Sequence, residues 1–411
     1  MGWGMAGDRR TESGAGALVA VGLLLALQIP IMPIMILGPN LPQLFRQFGA
    51  TSQSDLLVPL IITAPSLGIT LLAPVAGVIA DRVGHRRLLV GALALFAVAG
   101  LMPLLLDGLL VIVAAQVVVG VAAAAIMTNA NTLLGDYFAP DARNRWLGVQ
   151  SEIGPFFSAA VALSAGALGT LGWRPPFALN AIAALAFAWV AFSTRRLAAV
   201  PTAVAAAAAG AAPPATEAGG RMPWDLMLPV FGVTVVTALV FYVPTIHFSL
   251  MYERLGARSP ALISLLITLG TVGSIAAGYL FRKRPARPAL NLGLLFLCFA
   301  VSLAGYGLAD HYLVGLACGV VANFAFGLTL PTLVGWALTV LPPACRGRGM
   351  GLWMSAFFCA QFISPPLFAL LMRAVGGLAP ALLWVGGSCV LLAAAAFIVT
   401  RIERQPAARS A

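Results

Sequence analysis

The sequence predicts an all-α polytopic membrane protein with twelve transmembrane helices arranged as two pseudo-symmetric six-helix halves. Hydrophobic residues make up 61% of the 411 residues and charged residues only 9%, whereas a soluble domain is about 45–50% apolar and about 25% charged. Apolar runs of the roughly 20 residues that a spanning helix needs recur along the whole chain. The charged residues gather in short clusters between these runs, and clusters of the first half recur in the second.

The first half contains six apolar runs, and the first of them could be mistaken for a signal peptide. Arg9 and Arg10 precede it, but the run over residues 17–38 is longer than the roughly 7–15 apolar residues of a signal sequence. We therefore expect it to be the first membrane helix. Dividing this half at its polar clusters predicts spans at about 17–38, 56–80, 88–106, 109–134, 146–170 and 176–194.

The second half divides in the same way, after an Ala-, Pro- and Gly-rich segment whose composition is typical of a flexible linker. Its predicted spans lie at about 226–250, 260–281, 288–309, 312–341, 350–372 and 379–400. The predicted organisation is a cytoplasmic tail at 1–16, a six-helix half at 17–194, a cytoplasmic linker at 195–225, the second half at 226–400 and a cytoplasmic tail at 401–411.

The distribution of basic residues predicts the orientation. With twelve spans and both termini inside, 19 of the 24 Lys and Arg residues are cytoplasmic, and the other 5 are Arg46, Arg174, Arg254, Arg258 and Arg373. Counting the linker as a thirteenth span would move the basic segments RKRPAR (282–287) and CRGRG (345–349) outside, which the positive-inside rule disfavours. The richness in Arg and Ala hints at a GC-rich bacterial genome, so we expect a multi-pass protein of the bacterial inner membrane with both termini cytoplasmic.

An internal repeat relates the two halves. The segment after the second span and the segment after the eighth share Gly77 with Gly278 and Arg86 with Arg287 at an offset of 201. The cluster after span four recurs after span ten at an offset of 203, where Pro140, Arg143, Arg145 and Gly148 correspond to Pro343, Arg346, Arg348 and Gly351. Duplicated six-helix units are a recurrent transporter architecture, with the substrate site near the membrane midplane between them.

The segment GVIADRVGHRR resembles the loop signature of the major facilitator superfamily, roughly G-x-x-x-D-[RK]-x-G-[RK]-[RK]. The matching residues are Gly77, Asp81, Arg82, Gly84, Arg86 and Arg87. With the repeat and the twelve spans, the resemblance covers nearly the whole chain and implies that family's fold, with the layout of its drug and metabolite exporters. It also implies a cytoplasmic gate formed by this loop, to which we add the repeated pairs Arg143 and Arg145, and Arg346 and Arg348. A cluster that only orients the chain in the membrane is the alternative.

Two departures from the family's pattern concern function rather than fold. Many proton-linked members carry an Arg in span four, where this chain has Gln116 followed by Gly120. Drug exporters often carry a Gly-Pro signature deep in span five, whereas Gly154-Pro155 lies about six residues too early in this chain. Proton antiport and drug export are therefore less firmly implied than the fold.

Glu152 is the only acidic residue well inside a predicted span. If span five begins near Trp146, the carboxyl lies about 9 Å along the helix, inside the cytoplasmic half of the hydrocarbon. A charged side chain costs on the order of 2.5–3.5 kcal/mol at the bilayer centre, so a carboxyl within a span indicates a functional residue. Desolvation favours the neutral form of a carboxyl, so Glu152 is our candidate for proton coupling or substrate contact. The alternative is a structural contact with the Arg143 and Arg145 cluster that fixes the gate.

Further polar residues within the spans are candidates for lining a substrate cavity, and helix–helix hydrogen bonding is the alternative for each of them. The candidates are Gln28, Gln116, Asn129, Asn180, Tyr242, His247, Asn323 and Gln361.

The predicted function is secondary transport of a small organic solute by alternating access, with proton-coupled export of a drug or metabolite preferred. The alternative is an importer or facilitator for a small organic or anionic solute. We expect no enzymatic activity, cofactor, metal, ATP or nucleic-acid partner, since the sequence has no P-loop, catalytic pair or metal-ligand spacing. The energy source would be the proton gradient, and the protein would act as a monomer in the lipid bilayer. A receptor or scaffold is the remaining class.

Overall fold

A computed structural model of the protein describes residues 14–49, 54–138, 140–195, 224–283, 287–341 and 346–409. Within these ranges the chain forms helices and short connections, with no strand. Ten helical stretches there are long and apolar enough to cross a membrane, and two shorter apolar stretches, Leu56–Leu72 and Ile153–Gly169, lie within longer helices. The predicted all-α polytopic fold is confirmed.

Helices α1 to α6 form the first half. Helix α1 is a chain of five helical segments, Gly14–Gln28, Ile29–Ile31, Met32–Leu37, Gly38–Asn40 and Leu41–Phe48. The others are α2 (Ser54–Val83), α3 (His85–Leu101), α4 (Leu109–Tyr137), α5 (Pro140–Gly169) and α6 (Ala181–Arg195), and short 3₁₀ turns at Met102–Leu104 and Pro175–Asn180 follow α3 and precede α6.

Helices α7 to α12 form the second half. Helix α8 consists of the two segments Pro260–Gly270 and Val272–Lys283. The others are α7 (Trp224–Arg254), α9 (Pro288–Leu308), α10 (Tyr312–Val340), α11 (Arg346–Val375) and α12 (Leu378–Arg409). The predicted linker falls almost entirely on residues outside the described ranges, and α12 continues past residue 400, where the tail was predicted to begin.

Helix α1 differs from its predicted extent, because it continues ten residues beyond the expected end near Gly38. Pro30, Pro33, Pro39 and Pro42 each occupy one of the first two positions of the helical segment that contains them. Proline is tolerated there, since the missing N–H has no partner within the segment and the fixed φ suits a helix start. The prolines therefore lie at the starts of successive helical segments, and α1 continues past them.

The helix contacts repeat between the halves. Helices α2 and α4 pack together as α8 and α10 do, α3 and α6 as α9 and α12, and α1 and α5 as α7 and α11. The halves meet mainly where α2 lies along α11 and where α5 lies along α8. This arrangement leaves α1, α5, α7, α8 and α10 around the centre of the molecule.

Candidate solute cavity and its closure

The helix bundle has two ends, at which different helices begin and finish. The linker end is the end at which α6 finishes and α7 begins, and the far end is the end at which α1 finishes at Phe48 and α7 finishes at Arg254. The positive-inside rule predicts that the linker end is cytoplasmic.

A central cavity of about 160 Å³ lies between the two halves. Helices α1 and α5 of the first half form one wall, and α7, α8 and α10 of the second half form the other. The lining residues are Ile34, Met35, Gly38, Pro39 and Ala162 on the first wall, and Phe241, Thr245, Phe248, Ile267, Thr271, Asn323 and Phe326 on the second.

Larger cavities, of about 450, 380 and 310 Å³, are lined only by residues of the second half, and residues of α12 alone line the last of these. The first lies between α7, α11 and α12, and the second between α7, α9, α10 and α12. None of these larger cavities is lined by a residue of the first half, so relative motion of the halves would not open or close them directly. The smaller central cavity is therefore the better candidate for a transported solute.

The two walls of the central cavity differ in chemistry. The first-half wall is aliphatic, whereas the second-half wall presents three phenylalanine rings. The ring centroids of Phe241 and Phe326 lie 4.5 Å apart, and those of Phe248 and Phe326 lie 5.9 Å apart in an edge-to-face arrangement. Both separations lie in or close to the range that is favourable for aromatic pairs.

The polar side chains of the central cavity donate hydrogen bonds to their own helices. Thr245 Oγ1 donates to the carbonyl oxygen of Phe241 at 2.7 Å, and Thr271 Oγ1 donates to that of Thr268 at 2.6 Å. Asn323 Nδ2 donates to the carbonyl oxygen of Gly319 at 2.9 Å. The hydroxyl protons are thus used locally, and the oxygen lone pairs of these side chains remain as acceptors.

The first half closes the far end of the bundle partly through Asn40. Its Nδ2 donates to the carbonyl oxygen of Ile36 at 2.8 Å and to that of Ala165 at 3.1 Å, which holds the end of α1 against α5. Gln43, almost one turn further along, donates to the carbonyl oxygen of Gly169. These bonds tie two helices of the first half together directly above the cavity.

Glycines on α5 bring the two halves into contact at the same end. A Cβ at Gly166 would lie 2.6 Å from Ser264 Cβ and 2.7 Å from the carbonyl oxygen of Pro260, both on α8. A Cβ at Gly169 would overlap the Asn40 amide oxygen and lie 3.1 Å from Pro260 Cβ. Since small residues permit close helix approach, α5 and α8 are packed almost backbone to backbone here, and the cavity is closed towards the far end.

An ion pair also joins the halves at the far end. Arg46, in the last turn of α1, donates to the carboxylate of Glu253, in the last turn of α7. Both side chains are accessible, with 59% and 31% of their surfaces exposed, so the pair is a surface contact. It marks the rim of the closure formed by α1, α5, α7 and α8.

Glu152 lies on α5 between the central cavity and the linker end, and its side chain lies outside the described part of the structure. Ten residues separate it from the cavity residue Ala162, which corresponds to about 15 Å along a helix. The buried side chain of Gln28 faces the same stretch of α5, because a Cβ at Gly154 would lie 3.4 Å from Gln28 Oε1.

Two of the predicted cavity residues form hydrogen bonds between elements of the first half. Asn129 Oδ1 lies 2.9 Å from His85 Nδ1, which connects α4 to the start of α3. Asn180 Nδ2 donates to the carbonyl oxygen of Gly100 at 2.9 Å, which connects α3 to the turn before α6. Neither side chain lines the central cavity.

The other predicted cavity residues are buried but, apart from Asn323, lie outside the lining of the central cavity. Gln116 lies on α4 and Gln361 on α11. The ring of Tyr242 packs against Phe241 and Phe357, at centroid distances of 5.0 and 5.4 Å.

His247 points away from the central cavity, although the neighbouring Thr245 and Phe248 line it. His247 Nδ1 lies 2.9 Å from the carbonyl oxygen of Val243, one turn earlier on α7. Its ring packs against Phe368 of α11, with the centroids 4.8 Å apart. Its surroundings are therefore the α7–α11 contact within the second half.

The predicted gate lies at the linker end, and the structure describes part of it. Gly84 has a φ of +92° between α2 and α3, a conformation that favours glycine. Arg86 Nε donates to Thr194 Oγ1 at 2.8 Å and so ties the loop to the last turn of α6. Arg82, Arg87 and Arg145 are exposed. The part of the chain that the structure describes does not include the surroundings of Gly77 or the side chains of the remaining gate residues, which are Asp81, Arg143, Arg346 and Arg348.

Sequence reasoning missed most of the cavity wall. Thr245, Thr271 and the three phenylalanines of the second half were not among the predicted site residues, whereas Asn323 was. The available signal was spacing: Phe241, Thr245 and Phe248 recur at intervals of four and three on α7, which places them on one helix face.

Comparisons with known proteins agree with this architecture. The sequence profile of the Major Facilitator Superfamily matches residues 17–344. The efflux pump dotC of Dothistroma septosporum is 27% identical over 178 residues, which span 43% of this chain and only 30% of that relative's length.

Solved transporter structures share the fold over nearly the whole chain. A peptide transporter, POT, superposes with a TM-score of 0.73 at 16% identity, covering 94% of this chain and 95% of the other. The inward-open xylose transporter XylE from E. coli superposes with a TM-score of 0.69 at 17% identity, covering 93% and 95%. The family profile extends from the first helix to the end of α10, and the shared fold covers 93–94% of the chain. This chain is a membrane transporter that belongs to the Major Facilitator Superfamily.

Proposed function

We propose that this transporter exports a small organic solute from the cytoplasm by alternating access, in exchange for protons. The observation that carries the proposal is the central cavity, which both halves line and which contacts between α5 and α8 close at the far end. A site enclosed by two rigid halves becomes accessible from the other side when the halves rock about it. The proposal includes a linker end facing the cytoplasm in the bacterial inner membrane, action as a monomer and independence from ATP.

The closure at the far end is of a kind that can be reversed. Among the described residues, the contacts that join the two halves there include the α5 glycines against α8 and one exposed ion pair, Arg46–Glu253. An exposed ion pair contributes about 0.2–1 kcal/mol, so breaking it costs little. A rocking motion would separate Gly166 from Ser264 and open the cavity to the far side, without disrupting either half.

The direction of transport and the proton coupling rest on different observations. Export is supported by the likeness to a relative named as an efflux pump. Coupling is supported by the position of Glu152 on α5, next to the apolar stretch Ile153–Gly169 and between the cavity and the linker end. A passive facilitator is the second candidate, and it is favoured by the buried, uncharged Gln116 where proton-linked relatives carry an Arg.

Inside-out bacterial membrane vesicles containing the protein test both candidates. A panel of radiolabelled organic solutes is offered while the vesicle interior is acidified, and accumulation above the external concentration is measured. Proton-coupled export predicts accumulation that an uncoupler abolishes and that Glu152→Gln reduces to simple equilibration. The matched control is Asp310→Asn, which removes an exposed carboxylate between α9 and α10 at the far end. Equilibration that is insensitive to both the gradient and Glu152→Gln would identify a facilitator, and absence of flux for every solute would overturn the carrier.

A further inference from the structure

We propose that the central cavity binds a small aromatic amine, meaning one aromatic ring with a short side chain that carries an N–H donor. This inference rests on the proposed function, because it assigns a substrate class to the same site. It depends on three properties of the described cavity: its size, its aromatic wall and the direction of its hydrogen bonds.

The volume limits the solute to about one ring. The cavity measures about 160 Å³, close to the roughly 150 Å³ of an engineered apolar cavity in another protein that holds benzene. A multi-ring drug would require the walls to separate. A single ring with two or three further heavy atoms fits if the chain enters the polar part of the cavity.

The phenylalanine rings of the second-half wall favour a solute that has an aromatic ring and a cationic group. Phe241, Phe248 and Phe326 surround one side of the space, and the opposite side carries Ile34, Met35 and Ala162. A ring inserted between these walls can form an edge-to-face or offset contact with phenylalanine, worth about 0.5–1.5 kcal/mol beyond its burial. An ammonium group close to a phenylalanine face gains a cation–π attraction of similar size.

The hydrogen bonds of the cavity favour a donor over an acceptor. The hydroxyl groups of Thr245 and Thr271 donate their hydrogen bonds to carbonyl oxygens of their own helices, and Asn323 Nδ2 donates to the carbonyl oxygen of Gly319. Asn323 Nδ2 also lies close to α8, since a Cβ at Gly270 would be 3.0 Å from that nitrogen. The cavity therefore offers acceptor oxygens to a solute.

A carboxylate or phosphate would bind poorly in such a site. The lining residues contain no Lys, Arg or His, and a buried anion without donors loses its hydration with little compensation. An amine meets acceptor oxygens and aromatic faces instead. This choice separates the inference from the alternative of an anionic solute.

A matched series of single-ring probes tests the proposal on the full-length protein in nanodiscs, with affinities measured by calorimetry. The probes are 2-phenylethylamine, the neutral 2-phenylethanol, the anionic 3-phenylpropionate and the non-aromatic 2-cyclohexylethylamine. We expect 2-phenylethylamine to bind about tenfold or more tightly than 3-phenylpropionate, that is, with a Kd at least about ten times lower. Its Kd should be at least about three times lower than that of 2-cyclohexylethylamine. A weaker but measurable affinity for 2-phenylethanol, which also donates a proton, would support donation as the recognised property.

Variants assign the binding to this cavity. Thr245→Val removes an acceptor oxygen at nearly constant volume and should weaken 2-phenylethylamine binding by about three- to tenfold, whereas Thr245→Ser keeps the oxygen and should retain affinity. Phe326→Leu should weaken binding by about threefold or more. Thr339→Val is the matched control, because Thr339 also donates to its own helix but is exposed near the end of α10, away from the cavity.

The proposal is overturned if 3-phenylpropionate binds as tightly as the amine, if Thr245→Val and Phe326→Leu behave like Thr339→Val, or if no probe binds. These outcomes are distinguishable from failure of the proposed function. If the vesicle assay shows flux of another solute while these probes fail, the carrier stands and only the substrate class is wrong.

Discussion

Helices α4 and α10 occupy equivalent places in the two halves, but equivalent positions on them serve different purposes. At the repeat offset of 203, Gly120 of α4 corresponds to Asn323 of α10, and Ala123 corresponds to Phe326. Gly120 lies directly against the backbone of Pro65 on α2, and Ala123 is fully buried. Asn323 and Phe326 instead line the central cavity. The duplicated fold is retained, and only the second copy contributes polar and aromatic side chains at these positions.

The second half keeps its close helix crossing with glycines at other positions of the two helices. In the α2–α4 crossing each helix contributes a glycine, Gly68 on α2 and Gly120 on α4. In the α8–α10 crossing, a Cβ at Gly273 of α8 would overlap the carbonyl oxygen of Val320. A Cβ at Gly327, one turn beyond Asn323 on α10, would likewise lie 2.8 Å from the carbonyl oxygen of Ser274 on α8. Because these two glycines supply the close approach, position 323 on α10 can carry a side chain. The difference shows how a repeat can diverge in function without changing its packing.

The largest effect is expected from exchanging Gly120 and Asn323, the residues that correspond to each other on α4 and α10. Gly120→Asn would force a Cβ into the backbone of Pro65, and overpacking of this kind costs about 1–3 kcal/mol or more. We expect the melting temperature in detergent to fall by about 5–10 °C, or folded protein to be lost. The reciprocal Asn323→Gly should fold, with a loss of about 1 kcal/mol for glycine within a helix, and should instead alter solute affinity.

The control for this exchange is Gly91→Asn on α3, where a new Cβ meets no atom within 4 Å. It reports the effect of the residue change without the collision. Similar melting temperatures for Gly120→Asn and Gly91→Asn would show that the α2–α4 crossing does not require the glycine.

The sequence was sufficient for the fold because hydropathy and charge clustering act locally. Each apolar run became a helix, and the repeat offset placed the helices of the two halves in correspondence. The extension of α1 to Phe48 was missed: the predicted span ended near Gly38, whereas Pro39 and Pro42 lie at the starts of further helical segments.

The cavity was less predictable because its chemistry depends on which helices meet. A threonine that donates to its own helix, such as Thr245 or Thr271, cannot be recognised from the sequence as a cavity residue. Polar residues chosen by type alone, such as Asn129 and Asn180, form helix–helix or helix–turn hydrogen bonds instead. Asn323 was identified because an amide at membrane depth is rare enough to be noticed wherever it points.

A smaller expected effect concerns the pair Gly166 and Ala369, which also correspond at the offset of 203. Gly166→Ala would give α5 the residue that α11 carries and would place a Cβ 2.7 Å from the carbonyl oxygen of Pro260. Because this contact joins the two halves, we expect each half to fold and the far-end closure to weaken. Transport should slow by up to about tenfold if closure loses about 1 kcal/mol or slightly more.

Spin labels on cysteines replacing Thr170 and Arg258 would measure the far-end separation of the halves in the same experiment. The average distance between the labels should increase in Gly166→Ala but not in Gly278→Ala, whose Cβ meets no atom within 4 Å. An unchanged distance with unchanged transport would show that the α5–α8 contact tolerates a methyl group.

The smallest expected effect concerns the ion pair at the rim of the closure, Arg46–Glu253. Arg46→Gln should shift the balance between closed and open far ends by no more than about fivefold, because an exposed pair contributes about 0.2–1 kcal/mol. The same spin-label distance measures the shift, which should shrink as added salt screens the pair in the unmodified protein. Exchanging the charges in Arg46→Glu with Glu253→Arg should restore the closed population, while either reversal alone should lower it. If the double exchange behaves like the sum of the two single changes, the pair does not stabilise the closure, and the glycine contacts of α5 with α8 hold the far end without it.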